Sequence, residues 1–292
     1  MKRFFALLGL ILTVLFCAGC QPKEATAQIA ATTLPVYEFT QRLCTNTGIT
    51  VTRLVTENVS CLHDYSLTVR QVKALEGAQT VVISGGGLEH FLEDVLHNST
   101  DCIDSSKGIT FTHCEEEHDH ADHNHSHETD PHIWLSPRHA MTMATNICHG
   151  LQNAYPQHKE VFAKNLDSLL SDLLALEEYG KQQLTTLSCR EIISFHDGFG
   201  YFAEAFDLTI LKAVEEEAGS EASASELKEL ISLVRAHNLP AIFTEKNGSV
   251  SAANILSGET GAKVFSLDMA MSGSSYFEAM YHNIDTVKEA LG

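Results

Sequence analysis

Short apolar runs alternate with amphipathic stretches along most of the chain, which is the pattern of alternating strands and helices. In the first part, the apolar runs that predict strands are 29–34, 49–55 and 81–84. The apolar spacing predicts helices beginning at Val36 and covering 67–75 and 88–96. This strand–helix order predicts a mostly parallel sheet with helices packed on its faces.

One much longer helix is predicted near the middle of the chain. Apolar side chains recur every three or four residues from Phe162 to Leu176, after Pro156 and onward towards Leu187. A helix of roughly 30 residues is about 45 Å long. Because no second helix of comparable length is expected beside it, the pattern favours a rigid strut between two lobes over a coiled-coil arm.

The strand–helix alternation resumes after this helix. The expected strands are 191–195, 209–214, 241–244 and 264–267, and the expected helices are 198–206, 223–237, 252–260 and 275–291. The predicted fold class is therefore α/β, with two Rossmann-like βα lobes of parallel sheet. The expected boundaries are 28–154 and 188–292 for the lobes and 155–187 for the linking helix. No convincing internal repeat relates the two lobes in sequence.

The N-terminus has the pattern of a targeting signal. Lys2 and Arg3 precede an apolar run over 4–16, which is too short to span a membrane. Small residues then lead to Cys20, as in bacterial lipoprotein signals, although Cys17 stands where leucine is usual. We expect a signal peptide over 1–19 and a lipidated tether over 20–27, and plain secretion with a free Cys20 is the alternative.

The net charge and the cysteine content limit the classes of function that fit this chain. The formal net charge of −19, without a lysine or arginine cluster, argues against nucleic-acid binding. An acidic surface raises the local concentration of cations, although solubility alone would also explain it. Beyond the leader the cysteines are 44, 61, 102, 114, 148 and 189, which we interpret as structural. Export makes some disulfide pairing plausible, and the sequence does not choose among pairings.

Four residues with metal-binding side chains stand where a strand gives way to a helix. They are His63, His132, His196 and Asp268. In open α/β sheets ligands collect at the carboxyl ends of strands, so a cleft between two lobes would bring these side chains together. Three imidazoles and one carboxylate suit tetrahedral Zn²⁺. For each histidine alone, a hydrogen-bonded structural role is the alternative.

A polar segment directly before His132 has a different composition from the rest of the chain. Residues 113–130 are almost wholly His, Glu, Asp and Asn, so they are expected to form a loop that buries little apolar surface. Its histidines are His113, His118, His120, His123, His125 and His127. Histidine-rich tracts often bind metals, so we interpret this segment as an accessory metal-binding loop.

Several motifs, in order along the chain, resemble the ZnuA-like zinc- and manganese-binding solute proteins of ABC importers (cluster A-I). The matching segments are 63–65 with 72–75, 86–92, 130–137, 195–202, 241–245, 259–264 and 267–268. The resemblance covers residues 28 to 291. It implies metal ligands at His63, His132, His196 and Asp268, in a cleft between two lobes bridged by a rigid helix.

The resemblance also implies a role and partners. Such a protein is not an enzyme: it captures Zn²⁺ outside the cytoplasm, lipid-anchored at the bacterial cell membrane, and delivers it as a monomer to an ABC permease and its ATPase. Histidine at 196 favours Zn²⁺ over the runner-up Mn²⁺, because manganese-selective relatives have glutamate there. Leu62 and Met269 stand where the family often has proline, and a water is the alternative to Asp268 as fourth ligand.

The sequence is also compatible with two other functions. A zinc hydrolase would also use three histidines and a water, but it needs a glutamate as general base, and no H-E-x-x-H motif supplies one. A metal-binding surface adhesin is the second alternative. Glu245, after a predicted strand, is interpreted either as a hydrogen-bond partner of a ligand histidine or as a surface carboxylate.

Overall fold

The computed structural model describes residues 28–57, 62, 65–92, 95–96, 101–112, 129–214 and 222–292. The predicted signal peptide, Cys20, His63 and residues 113–128 of the histidine-rich segment lie outside these residues. Within the described part of the chain, no helix combines the length and apolar character needed to cross a bilayer. The four described cysteines (44, 102, 148 and 189) are not joined by disulfides.

Two four-stranded parallel sheets form the centres of two lobes. The first sheet contains β1 (Ile29–Ala31), β2 (Val51–Arg53), β3 (Thr80–Ile83) and β4 (Asp101–Asp104), and the second contains β5 (Glu191–Ser194), β6 (Thr209–Ala213), β7 (Ala241–Glu245) and β8 (Lys263–Leu267). The strand orders are β2-β1-β3-β4 and β6-β5-β7-β8, so both lobes have the same topology despite the absence of a visible sequence repeat. The predicted α/β fold of two parallel-sheet lobes is confirmed.

Eight α-helices of the described residues cover these sheets and connect the lobes. They are α1 (Leu34–Leu43), α2 (Val69–Gly77), α3 (Pro137–Ala154), α4 (Lys159–Gln183), α5 (Gly200–Ala205), α6 (Ala224–His237), α7 (Ser251–Thr260) and α8 (Tyr276–Leu291). One apolar cluster runs from the first sheet through α3 and α4 to α8, so the lobes share a core.

The long linking helix, α4, packs against both lobes. Asn165 donates hydrogen bonds to the carbonyls at the end of α1, and Tyr179 donates to Asp285 of α8 at 2.6 Å. The helix has 25 residues, fewer than expected, because a short 3₁₀ turn (Pro156–His158) precedes it and it ends before Thr185 and Thr186. Threonine is stiff at χ1 and a weak helix former.

Helix α3 was not expected, and it corrects the prediction that no long helix pairs with the strut. It has 18 residues, begins at the N-cap Ser136 and packs along α4. Its buried positions, Met143, Ala144, Ile147 and Leu151, have helical spacing. Arg138 of α3 forms an ion pair with the buried Glu177 of α4, which ties the two helices together, and Lys181 of α4 pairs with the same carboxylate.

The helix predicted over 88–96 is also wrong in its described part. Residues 90–92 form only a short 3₁₀ turn. Three successive glycines, 85–87, adopt positive φ, and the buried carboxylate of Glu89 accepts the backbone N–H groups of Ser84 and Gly85. These side-chain hydrogen bonds hold residues 84–89 in a turn, so a regular helix does not start here.

Candidate metal centre

His132 is fixed by a carboxylate two residues before it. One oxygen of Asp130, Oδ1, accepts the backbone N–H of His132 at 2.9 Å and lies 2.8 Å from ring atom Nδ1. Because a carboxylate only accepts hydrogen bonds, the neutral form of this imidazole carries its hydrogen on Nδ1 and its lone pair on Nε2. Within the described residues, the buried Nε2 of His132 has no hydrogen-bond partner. A buried imidazole nitrogen in this state suits a metal ligand.

The second lobe helps to hold this segment. Tyr201 of α5 donates its hydroxyl to the carbonyl of Asp130 at 3.0 Å, and the same hydroxyl accepts the backbone N–H of Thr112 at 3.0 Å. The Asp130 carbonyl and the Thr112 N–H belong to the first lobe, whereas Tyr201 belongs to the second. The position of His132 therefore depends on contact between the lobes.

His196 follows β5 and lies beside His132. Their ring centroids are 5.3 Å apart with the planes at 81°. Two imidazoles on one tetrahedral ion, each with its nitrogen about 2 Å from the metal, would have centroids about 5 Å apart. A side chain at Gly198 would place its Cβ 2.7 Å from Cδ2 of His196, so this turn accepts only glycine without displacing the ring.

A carboxylate also stands behind His196. Oε2 of Glu245, at the end of β7, lies 3.5 Å from Nδ1 of His196, which turns Nε2 away from Glu245. Burial, with a smaller contribution from Asp268, raises the pKa of Glu245 to about 7. Both histidines thus have a carboxylate at Nδ1, the arrangement that orients metal-binding imidazoles in proteins.

Asp268 follows β8, and both its backbone and its carboxylate have hydrogen-bond partners. Its backbone N–H and carbonyl bond the side-chain amide of the buried Asn283, both at 2.7 Å. Oδ1 of its carboxylate accepts the backbone N–H of Ala270 at 2.8 Å, and Oδ2 lies 2.9 Å from Nζ of Lys246. Both carboxylate oxygens therefore have protein partners.

A buried tryptophan connects the His132 segment to the Asp268 segment. Nε1 of Trp134 donates to the carbonyl of Met269 at 2.8 Å, and the Trp134 carbonyl accepts the hydroxyl of Tyr276 at 2.8 Å. Trp134 and Tyr276 are both fully buried. These bonds fix the sides of the site relative to one another.

Of the four predicted ligands, His132 and His196 meet at the lobe junction, and Trp134 connects the His132 segment to Met269, the neighbour of Asp268. His63 and all six loop histidines (113, 118, 120, 123, 125 and 127) lie outside the described residues. Among the residues that the structure does describe, no three histidine, cysteine or acidic side chains are already arranged around a common point.

The sequence interpretation did not anticipate Asp130, Lys246 or Asn283. The aspartate two residues before His132 is a local signal, because such residues often accept the backbone N–H two positions on. The other two residues approach Asp268 only through the tertiary fold.

Residues 29–290 match the sequence model of a family described as ZnuA, the periplasmic component A of a zinc-uptake complex. The chain belongs to the ZnuA family. The zinc-binding lipoprotein AdcA of Streptococcus pneumoniae is 28% identical over 311 residues, covering 99% of this chain and 61% of the relative. The present chain thus spans less than two thirds of that relative's length.

Solved structures of this family have the same fold. A crystal structure of ZnuA is 28% identical, covers 91% of this chain and 100% of that one, and gives a TM-score of 0.79. The metal-dependent lipoprotein YcdH from Bacillus subtilis is 25% identical, covers 90% and 98%, and gives a TM-score of 0.75. The resemblance drawn from the sequence motifs is therefore confirmed.

Proposed function

We propose that this chain captures Zn²⁺ outside the cytoplasm and delivers it to an ABC-type permease and its ATPase. The observation that carries the proposal is the pair formed by His132 and His196, whose rings are 5.3 Å apart, each with a carboxylate at Nδ1. Membership of a zinc-uptake family and the zinc-binding name of the streptococcal relative support the choice of metal.

We assign His63 as the third ligand and Asp268 as the fourth. His63 lies outside the described residues, so its assignment rests on its motif. Nitrogen donors favour Zn²⁺ over Mn²⁺, which prefers oxygen. The six loop histidines would act as an accessory collector of zinc that feeds this site.

The carboxylates support binding rather than hydrolysis. A hydrolytic zinc enzyme needs a general base close to a metal-bound water. Glu245 contacts Nδ1 of His196, on the opposite side of the ring from the nitrogen that would face the metal. Asp130 stands in the same relation to His132. Both groups are therefore placed to orient ligands.

We also propose that Cys20 is lipidated and anchors the mature protein, which acts as a monomer, to the outer face of the cell membrane. The signal pattern and the lipoprotein name of the streptococcal relative support this. Cys20→Ser should release the protein from the membrane fraction and abolish incorporation of a labelled fatty acid. A Cys20→Ser protein that stays membrane-bound and labelled would contradict the anchor, and a dimer mass in light scattering would contradict the monomer.

Zinc binding is tested by competition titration against a chromogenic chelator. His63→Ala, His132→Ala and His196→Ala should each weaken binding by at least about tenfold, because each removes a ligand. His237→Ala is the matched control, because His237 also bonds a carboxylate through Nδ1, at 2.9 Å from Glu191, but on the surface of the second lobe.

An independent readout comes from Trp134, the only tryptophan, whose ring centroid lies 5.4 Å from that of His132. Zinc should change its fluorescence in the wild type and the control, and this change should be absent in His132→Ala at the same zinc concentration. Wild-type affinity in all three ligand variants would refute the assigned site.

A further inference from the structure

Lys246 forms an ion pair with one of the proposed metal ligands. Its Nζ lies 2.9 Å from Oδ2 of Asp268. The Asp268 side chain is only 7% exposed, whereas that of Lys246 is 57% exposed. The ammonium therefore reaches a buried carboxylate from the solvent side.

The pairing of two strands places Lys246 there. Glu245 of β7 lies opposite Leu267 of β8, so the next residues, Lys246 and Asp268, leave the sheet side by side. The backbone N–H of Lys246 donates to the carbonyl of Leu267 at 2.8 Å, which fixes this register. Burial, with a smaller contribution from the charge of Asp268, raises the pKa of neighbouring Glu245. Lys246 is thus a cation at a strand end that also carries two acidic side chains.

We propose that Lys246 is an internal competitor for the metal: its ammonium occupies Oδ2 of Asp268 in the metal-free protein and must be displaced when Zn²⁺ binds there. This inference rests on the proposed function and on Asp268 as a ligand. Zinc and an ammonium repel one another and both need an oxygen lone pair, so they do not share Oδ2 at full strength. Lys246 would therefore lower zinc affinity and speed zinc release.

An alternative role, in which Lys246 orients Asp268 for the metal, would give the opposite sign. The structure argues against it, because other groups already orient Asp268. Asn283 bonds both its N–H and its carbonyl, and the N–H of Ala270 holds Oδ1. Removing the ammonium therefore leaves the carboxylate in place with Oδ2 available.

The size of the effect follows from the exposure of the ion pair. Pairs with one partner in water contribute little, and the lysine can leave into solvent without burying its charge. We expect Lys246→Gln to bind zinc about three- to tenfold more tightly, with a correspondingly slower dissociation rate. Its metal-free melting temperature should fall, because the buried carboxylate of Asp268 loses its counter-ion.

The experiment compares Lys246→Gln, Lys246→Arg and Lys263→Gln by chelator competition and by stopped-flow release of zinc. Lys263 is an exposed residue at the opposite end of β8, so its substitution makes the same change in net charge away from the site. Lys246→Arg keeps the cation and should bind zinc no more tightly than the wild type. In an Asp268→Asn background, Lys246→Gln should lose its effect, because the contested oxygen is no longer charged.

The outcomes separate the two proposals. If the wild type binds no zinc, the proposed function fails. If the wild type binds zinc and Lys246→Gln binds with equal or lower affinity, the function stands and the competitor role is refuted. An equal gain in Lys246→Gln and Lys263→Gln would also refute it, since the effect would then come from net charge alone.

Discussion

The carboxylate of Asp130 should tune zinc affinity without being a ligand. Asp130→Asn keeps the size of the side chain and keeps an oxygen that can accept the backbone N–H of His132, which is now bonded at 2.9 Å. It removes the negative charge facing Nδ1 of His132 at 2.8 Å. The substitution therefore changes the electrostatics behind the ring more than it changes the fold.

The expected loss can be estimated from the bonds involved. Hydrogen bonds to a charged acceptor are roughly twice as strong as neutral ones, and loss of such a partner behind a metal-bound histidine typically weakens metal binding about 10- to 100-fold. Because the amide oxygen can still accept the bonds, we expect Asp130→Asn at the lower end, about tenfold or about 1.4 kcal/mol. Asp130→Ala, which also removes the acceptor for the His132 N–H, should lose more.

Competition titration measures the affinity, and Asp104→Asn provides the control. Oδ1 of Asp104 accepts the backbone N–H of Ser106, two residues on, at 2.8 Å, so it has the same local turn without a histidine. We expect Asp104→Asn to bind zinc like the wild type. If Asp130→Asn also binds zinc like the wild type, or if both variants lose affinity equally, the carboxylate does not act through His132.

Three further predictions concern other parts of the molecule. Zinc affinity should fall as pH drops through about 6.5, because proton competition at histidine ligands disfavours metal binding, and a flat titration series across this pH would contradict a histidine-rich site. Glu38 accepts the backbone N–H of Tyr276 at Oε2, at 2.6 Å, and burial raises the pKa of its carboxyl group. The folded state therefore binds the carboxyl proton of Glu38 more tightly than the unfolded state does. The free energy of unfolding of the wild type should therefore fall relative to that of Glu38→Gln as pH rises from about 4 towards the raised pKa of Glu38. Urea unfolding of both proteins at the two ends of this pH window measures the difference, and a difference that stays constant would disprove the prediction. Deleting residues 115–128 should remove only the weak zinc-binding phases in a calorimetric titration. A zinc site in a loop must offset about 1–2 kcal/mol of ordering entropy for each residue that it fixes, so it binds less tightly than the site between the lobes. Loss of the tight phase on deletion would place the main site in the loop.

The sequence pattern predicted the fold well where strands are continuous and apolar. Strand β7 was expected over 241–244 and covers Ala241–Glu245, because its side chains are buried on both faces. Strand β4 was missed because only Ile103 of its four residues is buried. An edge strand of this kind is specified by pairing with β3 rather than by its own apolar pattern.

The sequence pointed to the two histidines of the candidate site and, as one of two interpretations, to Glu245 beside a histidine, which the structure favours because Glu245 is buried against His196. It did not point to Asp130, Lys246 or Asn283. His132 and His196 could be picked out because each follows a strand or precedes a helix within a recognisable motif. Lys246 and Asp268 are 22 residues apart along the chain and meet only because β7 and β8 are adjacent with this register. No local pattern encodes that meeting, since a shift of register would separate them.

The two lobes share one topology but differ in the chemistry at the point where strand order reverses. In the second lobe, His196 and Glu245 stand at the ends of β5 and β7, the central strands between which ligands bind in open α/β sheets. In the first lobe the corresponding positions after β1 and β3 are Thr33 and Ser84, whose hydroxyls bond one another at 2.9 Å.

In the first lobe, the hydrogen-bonded hydroxyls of Thr33 and Ser84 thus occupy the position that His196 and Glu245 occupy in the second lobe. The first lobe instead contributes His132, from the segment that leads into α3, and this segment is held by Tyr201 and Trp134 through bonds that cross the junction. The two sheets share a topology, but among the described residues only the second has a histidine at these strand ends, where the proposed metal centre lies.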